Sequence, residues 1–259
     1  MNIPYFDMLM GDPIPVRGVG SLISPKLRDL SPTHGIGYNC YNLFINMLAW
    51  DKAGLIRYTR AIKLRGAEKL EAPGVSFFDA ISCYDETREL CCEVLSFFMR
   101  EQLVWDPQGA CYIALACDEH GTTRPVGRID AKNFDEVRQA MLRLNYIGLD
   151  KDTLPTSYDS DKARELWEKA QDFLKKQSET EDREDKPEFH LANIISKLCA
   201  VHPSYNLLNI YDLTVFQLYD AFFQYGYMRS TSLSEQIFSN HGGNSFKFEN
   251  WLKPIFHHI

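Results

Sequence analysis

Cysteine and histidine are the residues of this chain that could bind a metal ion or act as a nucleophile and its base. The sequence contains seven of each, and the cysteines stand at positions 40, 83, 91, 92, 111, 117 and 199. There is no CxxC pair, and Cys91 and Cys92 are adjacent within an apolar helical pattern. An odd number of cysteines in apolar runs is typical of reduced core thiols and not of a disulfide framework. We therefore expect all seven to be reduced and most of them to be buried.

The histidines and the glycine motifs of the chain do not have the spacing of a known metal site, nucleotide site or catalytic site. His257 and His258 are adjacent and point apart on most backbones, and no acidic or Cys ligand is spaced to help them or His241. Gly18-Val19-Gly20 is a GxG without a third glycine, and no GxSxG or Walker loop is present. The chain is predicted to have no catalytic, cofactor-binding or metal-binding residues and to be no enzyme. An enzyme whose site is assembled from residues far apart in sequence stays open as an alternative.

The composition argues against two classes of partner. The net charge is −7, and the longest basic run, Lys175-Lys176, is diluted by acids on both sides, whereas phosphate binding needs clustered Lys and Arg. No stretch approaches the ~18–20 apolar residues that a membrane span needs. The first residues have no basic segment of the kind that opens a signal peptide. We expect no nucleic-acid partner, no membrane partner and a cytoplasmic location.

Residues 1–150 are predicted to form a mixed domain with a small antiparallel β element. Prolines and glycines punctuate residues 1–37, which excludes one long helix and leaves Ile14–Val16 and residues 19–22 as candidate short strands. The apolar run 110–117 and residues 124–129 are predicted to pair as a hairpin. Helical spacing of apolar residues predicts helices over the ranges 38–59, 87–103 and 134–146. Asn133, followed by Glu136, has the spacing of a capping box for the last of these helices.

Residues 151–188 differ in composition and are predicted to be a charged helix followed by a flexible linker. The stretch 150–188 contains 13 acids and 8 bases, hence −5 of the total charge. Apolar residues at helical spacing predict an amphipathic helix over 161–178. Residues 178–188 contain no apolar side chain, which favours a solvated spacer over an acidic recognition tail.

Residues 189–259 are predicted to be a helical, aromatic-rich unit, so the fold class expected for the chain is α+β and predominantly helical. Helices are predicted over 189–201, 213–227 and 232–238, with an apolar closing segment after the glycines at 242 and 243. The second of these is apolar on nearly every side, which is typical of a helix that is buried or meets a partner. The two interpretations are the core of a small helical subdomain and a docking surface for a protein. The docking hypothesis assigns partner binding to five aromatic residues, Phe216, Tyr219, Phe223, Tyr227 and Trp251.

The C-terminal stretch resembles tail-assembly proteins of tailed bacteriophages and prophages, the tail assembly chaperones in particular. The resemblance is carried by NIYDLTVFQLYDAFF, with Leu213-Thr214 and Leu218 at a helix start, and by the aromatic segment FKFENWLK over residues 246–253. It implies a non-enzymatic factor of the host cytoplasm that binds and shields the tape-measure protein during tail assembly. It carries over no catalytic residues. A structural subunit of the tail or baseplate, located in the virion, is the alternative in the same setting.

Limited proteolysis tests the predicted linker. Because residues 178–188 have no apolar side chain to bury, we expect a protease to cut the native chain there first and to leave two resistant fragments. N-terminal sequencing and mass spectrometry of the fragments locate the cut. First cleavage elsewhere, with this segment intact, would remove the division at the linker.

Overall fold

The structure is a computed structural model that describes residues 1, 3–63, 74–118, 121–148 and 190–241. Contacts between residues divide the chain into two units. Unit 1 consists of Met1–Leu149 together with Tyr211–Tyr219, and unit 2 consists of Asp150–Ile210 and Asp220–Ile259. The predicted linker, the helix predicted over 161–178 and the closing segment after 241 lie outside the described residues. The predicted domain boundaries at 150 and 188 stay predictions.

The fold class is α+β and predominantly helical, as predicted. The helices up to residue 148 are α1 (Tyr5–Met10), α2 (Tyr38–Ala49), α3 (Lys52–Ala61), α4 (Phe77–Ser82), α5 (Asp85–Phe97) and α6 (Phe134–Leu144). The strands are β1 (Ile14–Val16), β2 (Gly20–Leu22), β3 (Gln102–Asp106), β4 (Cys111–Cys117) and β5 (Thr123–Ile129). After residue 190 the chain forms α7 (Leu191–Val201) and α8 (Val215–His241), and short 3-10 helices cover Leu27–Leu30 and Ile210–Asp212.

Two antiparallel sheets confirm the predicted β element. β1 pairs with β2, and β3, β4 and β5 form a second sheet in that order. The register of β4 on β5 shifts at Ala114, so β5 contains one extra residue, a β-bulge. The Arg128 N–H donates to the Gly18 carbonyl at 2.9 Å, which ties the β1–β2 turn to β5. Gly127 permits this approach, because a Cβ there would lie 2.4 Å from the Val19 backbone.

Helix α5 covers the outer edge of β3. The Cys92 thiol lies 3.3 Å from the Leu103 carbonyl, and the Leu103 N–H points to the Ser96 hydroxyl at 3.4 Å. These contacts occupy main-chain groups that would otherwise be open to another strand. The most completely enclosed large side chains of unit 1 include Leu22, Leu95, Phe98, Tyr112, Ile129, Met141 and Leu144.

Two predicted helices are shorter in the structure. The predicted helix 38–59 is interrupted at Trp50, and Asp51 begins α3 by accepting a hydrogen bond from the Gly54 N–H at 2.7 Å. The predicted helix 87–103 ends at Phe97, because Gln102–Asp106 pairs with β4. Strand pairing outweighs the helical spacing of the apolar residues in that stretch.

The predicted capping box at Asn133 is wrong. Asn133 does precede α6, but its side chain makes no cap hydrogen bond. The Asn133 Oδ1 accepts from the Asp130 N–H at 2.9 Å, and its Nδ2 donates to the Arg128 carbonyl at 2.9 Å. Asn133 therefore closes the turn that leaves β5.

The cysteines are all free, in agreement with the prediction of reduced thiols. Their burial is lower than predicted, since Cys91 and Cys111 are buried, Cys83 and Cys117 are exposed, and the other three are half-buried. Burial raises the pKa of the Cys91 thiol to about 12, although a hydrogen bond with Tyr112 acts in the opposite direction. Cys91 therefore behaves as a small core residue and not as a nucleophile.

Helix α8 is longer than predicted. The sequence predicts one helix ending near Gly226 and another over 232–238, but a single helix of 27 residues runs from Val215 to His241. Gly226 lies inside it, is exposed and does not have a positive φ. A glycine inside a helix lowers its stability without ending it.

Replacing Gly226 tests the continuity of α8. A Cβ at Gly226 would meet no atom within 4 Å, so Gly226→Ala should raise the free energy of unfolding by about 0.5–1 kcal/mol. Gly121→Ala is the matched control, because it also adds a Cβ to open space but at a φ of +79°, and it should lower stability. Denaturant unfolding of both variants provides the measurement. Destabilisation by Gly226→Ala would mean that the helix ends at this glycine.

Candidate docking surface

The segment that begins with Leu213-Thr214 lies against residues 24–28 of unit 1. The Leu27 N–H donates to the Leu213 carbonyl and the Val215 N–H donates to the Pro25 carbonyl, both at 2.9 Å. Lys26 and Thr214 form an isolated antiparallel bridge between these two hydrogen bonds. The start of α8 is therefore held by a short piece of β pairing with a stretch nearly 190 residues earlier in the chain.

Thr214 also begins α8 as one half of a capping box. The Gln217 N–H donates to the Thr214 hydroxyl at 3.2 Å, and the Thr214 N–H donates to the Gln217 Oε1 at 2.9 Å. The sequence signal was available, because Thr followed three residues later by Gln is the spacing of this motif. Sequence analysis proposed partner-binding roles for the aromatic residues of this helix but assigned no role to Gln217.

The Gln217 amide links the helix start to the N-terminal arm. Its Nε2 donates to the Leu9 carbonyl at 2.7 Å, near the end of α1. Gly11 follows with a φ of +73°, and a Cβ there would lie 2.9 Å from Gln217 Nε2. One amide therefore caps α8 and satisfies a main-chain carbonyl of α1, with a glycine allowing the close approach.

An aromatic cluster fills the space beside this contact within unit 1. The Phe216 ring centroid lies 6.1 Å from that of Tyr5 and 5.3 Å from that of Tyr146. Tyr219 stacks on Tyr146 at 5.8 Å. Tyr146 has a φ of +62°, so the chain takes a left-handed turn at the residue that contacts both rings of α8.

Hydroxyl groups in the same unit are held neutral. The Tyr41 hydroxyl donates to the Asn145 Oδ1 at 3.0 Å, and the Asn145 Nδ2 donates to the Met141 carbonyl at 2.7 Å. Burial raises the pKa of Tyr219 to about 12, and nearby Tyr38 adds to the shift. Burial likewise holds the pKa of Tyr41 well above its usual value. Both phenols therefore stay protonated at neutral pH, and the Tyr41 hydroxyl acts as a hydrogen-bond donor in the core.

The five residues predicted to bind a partner fall into three groups. Phe216 is 0% exposed and Tyr219 is half-buried, and both belong to unit 1. Phe223 is 38% exposed and Tyr227 is half-buried, and both belong to the part of α8 in unit 2. Trp251 lies outside the described residues. Phe216 is corrected to a core residue, because its ring is enclosed by Tyr5 and Tyr146 and offers no surface to a partner.

Phe223 and Tyr227 form the candidate docking surface. They stand one turn apart on α8, so both side chains lie on one side of the helix. Met228 follows and is 52% exposed. The Phe222 ring meets that of Phe223 edge-on at 5.6 Å, which holds Phe223 in place. Large apolar side chains presented along a helix are the arrangement by which helices bind each other's apolar faces.

The metal, GxG and membrane features considered in the sequence can be located on the described residues. No group of three His, Cys, Asp or Glu side chains among them could hold a metal ion. Gly18-Val19-Gly20 lies at the β1–β2 turn, with the Val19 N–H bound to the Val16 carbonyl at 3.0 Å. Within the described part of the chain, no helix is both long enough and apolar enough to cross a membrane.

A family model matches the C-terminal part of the chain. The family model described as the YomV second domain matches residues 179–256, which is less than a third of the chain. The matched part includes α7, the loop after it and α8. No curated protein and no solved structure matches the chain. The match indicates a phage-associated protein.

Gln217→Ala tests the anchoring of α8. It removes the bond to the Leu9 carbonyl and the reciprocal cap on the Thr214 N–H, so it should lower the free energy of unfolding by about 1–3 kcal/mol. Gln236→Ala is the control, because Gln236 is exposed on the same helix and its removal should change stability by no more than about 0.5 kcal/mol. Urea denaturation measures both. Equal effects of the two substitutions would show that the Gln217 amide does not anchor the helix.

Proposed function

We propose that the protein is a non-enzymatic phage tail assembly factor that binds and shields a tail protein, the tape-measure protein, during assembly in the host cytoplasm. The observation that carries the proposal is the family match over residues 179–256. It indicates a phage-associated protein, and it covers the same part of the chain that contains Phe223 and Tyr227.

The physical basis is an apolar surface on a helix whose start is fixed. The first turn of α8 is held by the Thr214–Gln217 capping box and by the enclosed Phe216 ring. The next turns carry Phe223 and Tyr227. A helix that is already formed loses little conformational entropy when a partner helix packs against it. Helix α8 can therefore cover an apolar face of an aggregation-prone protein with only a small loss of conformational entropy.

The aromatic type of the two residues suits reversible shielding. Phe and Tyr bury a large area while having few rotatable bonds, and the Tyr hydroxyl tolerates contact with water when no partner is bound. A surface of this kind binds by area and shape and needs no charged pair. The net charge of −7 favours solubility of this chain through charge repulsion.

Co-purification tests the proposal. The tagged chain is co-expressed with the tape-measure protein of the same phage, and the retained amount is compared for wild type and the double variant Phe223→Ala/Tyr227→Ala. Burial of one such side chain is worth ~1.5–3 kcal/mol, so the double variant should weaken binding about a hundredfold or more. Phe6→Ala is the matched control, because Phe6 is 70% exposed but lies on α1 in unit 1.

Three outcomes separate the alternatives. Thermal melting must be unchanged in the double variant, since a large drop would assign Phe223 and Tyr227 to the core. Failure of the wild-type chain to retain the tape-measure protein would contradict the proposal. Stoichiometric presence of the protein in purified virions would identify it as a tail or baseplate subunit instead.

A further inference from the structure

A small cleft lies between α1 and β1 in unit 1. It encloses about 330 Å³, which is the lower end of the range for ligand sites in proteins. The residues that line it are Asp7, Met10, Asp12, Pro13, Ile14 and Pro15. Four of them are apolar, two are acidic and none is basic, so the α1–β1 cleft combines apolar walls with negative charge. None of these residues belongs to the docking surface on α8.

The walls of the α1–β1 cleft are held in place by contacts within unit 1. The Gln217 amide binds the Leu9 carbonyl at 2.7 Å and so fixes the end of α1. Gly11 then turns the chain with a φ of +73°, and Pro13 and Pro15 have φ angles that their rings restrict at the start of β1. A cleft with fixed walls loses little conformational entropy when a ligand enters it.

The apolar walls of the cleft favour recognition through side chains. Met10 is 55% exposed, Pro13 and Pro15 are exposed, and Ile14 lies between the two prolines and is 9% exposed. The Met thioether is flexible and adapts to ligands of different shape. Because proline has no N–H, β1 is a poor template for an added strand, which would have to bind its main chain. The cleft therefore offers apolar area and not a row of main-chain donors.

The two carboxylates of the cleft have no cation of their own. Among the described residues, neither the Asp7 carboxylate nor the Asp12 carboxylate makes an ion pair or a hydrogen bond. Both side chains are exposed, so a partner can reach them. Uncompensated negative charge in a chain of net charge −7 attracts a cationic group.

We propose that the α1–β1 cleft binds a Lys or Arg side chain of a partner protein, presented between apolar residues of that protein. The aliphatic stem of such a side chain packs along Met10 and the prolines, and its charged head bonds to the carboxylates of Asp7 and Asp12. The flanking apolar residues of the partner cover the outer part of the walls. The inference does not rest on the proposed function, and it concerns a different surface.

A metal ion or a free polyamine accounts for the cleft less well than a protein side chain does. Ca²⁺ takes about six to eight oxygen ligands, and in the described part of the chain no third acidic, His or Cys side chain joins Asp7 and Asp12. A metal ion also makes no use of Met10 or the prolines. A polyamine would match the charges, but its bare methylene chain covers less of the exposed apolar walls than a peptide does.

The experiment titrates the full chain with a blocked tripeptide of leucine, lysine and phenylalanine, and NMR chemical shifts report the dissociation constant. One exposed ion pair corresponds to a change in affinity of about 1.5- to 5-fold. The double variant Asp7→Asn/Asp12→Asn keeps the shape of both side chains and should bind the tripeptide about 3- to 10-fold more weakly. Glu89→Gln/Glu93→Gln is the matched control, because it removes the same charge from exposed positions on α5 in unit 1. It should change the dissociation constant less than about twofold.

Two further titrations separate the charge from the apolar contact. Norleucine has as many side-chain carbons as lysine but no ammonium group, so a tripeptide with norleucine in place of lysine should bind the wild type about 3- to 10-fold more weakly. Raising the salt concentration from about 0.05 to about 0.5 M should weaken binding of the lysine peptide and leave that of the norleucine peptide nearly unchanged.

The outcomes decide the proposal in either direction. Weaker binding by Asp7→Asn/Asp12→Asn, with the control variant and the melting temperature unchanged, supports it. Absence of binding to the wild type up to about 10 mM tripeptide would overturn it, and so would equal affinities of the wild type and the Asp variant or of the two peptides. A melting temperature lowered by the Asp variant would show that the chain itself pairs with these carboxylates. Spermidine that competes with the tripeptide and binds more tightly would identify a free polyamine instead.

Discussion

The short β pairing between residues 25–27 and residues 213–215 is the contact on which the arrangement of the C-terminal helix depends. Two main-chain hydrogen bonds of 2.9 Å fix the direction in which the chain enters α8. The Thr214–Gln217 capping box then starts the helix, and Gln217 extends the same network to α1. Because closing so long a loop costs entropy, several contacts must form together, and the enclosed Phe216 ring adds the apolar part of the gain.

This contact explains why one apolar helix contains an enclosed stretch and an exposed stretch. In the stretch 215–219 the enclosed side chains pack within unit 1, where Phe216 is completely buried. Further along, Phe223 and Met228 keep 38% and 52% of their surface in water. The sequence shows an almost continuous apolar pattern across both stretches, and that pattern records hydrophobicity but not the partner that covers it. The enclosed stretch and the exposed stretch of α8 therefore have the same apolar pattern in the sequence. They can be told apart only once the position of the helix start is known.

Sequence patterns within a short window predicted most of the helices and strands. The residues at which these elements end were harder to predict. The hairpin of β4 and β5 was predictable because turn residues separate two apolar runs. The end of α5 was not, since residues 102–103 continue the helical spacing but are taken by pairing with Leu115 and Ala114. At Gly226 the predicted helix was too short and not too long. A glycine with a negative φ inside a helix cannot be told from sequence alone from a glycine that ends a helix. For α5 the deciding information lies in strand pairing that no window of sequence contains.

The exposure of Leu207 and Leu208 in the loop after α7 could not be predicted from the sequence. Leu207 and Leu208 have no periodicity, and in sequence they are two apolar letters between asparagines. Their meaning comes from the asparagines, whose side chains bind the loop's own main chain and so turn the leucines outward. Asparagine is suited to this because its amide imitates a main-chain group and can both donate and accept. The loop is therefore ordered by side chains of its own, although its sequence has neither the period of a helix nor that of a strand.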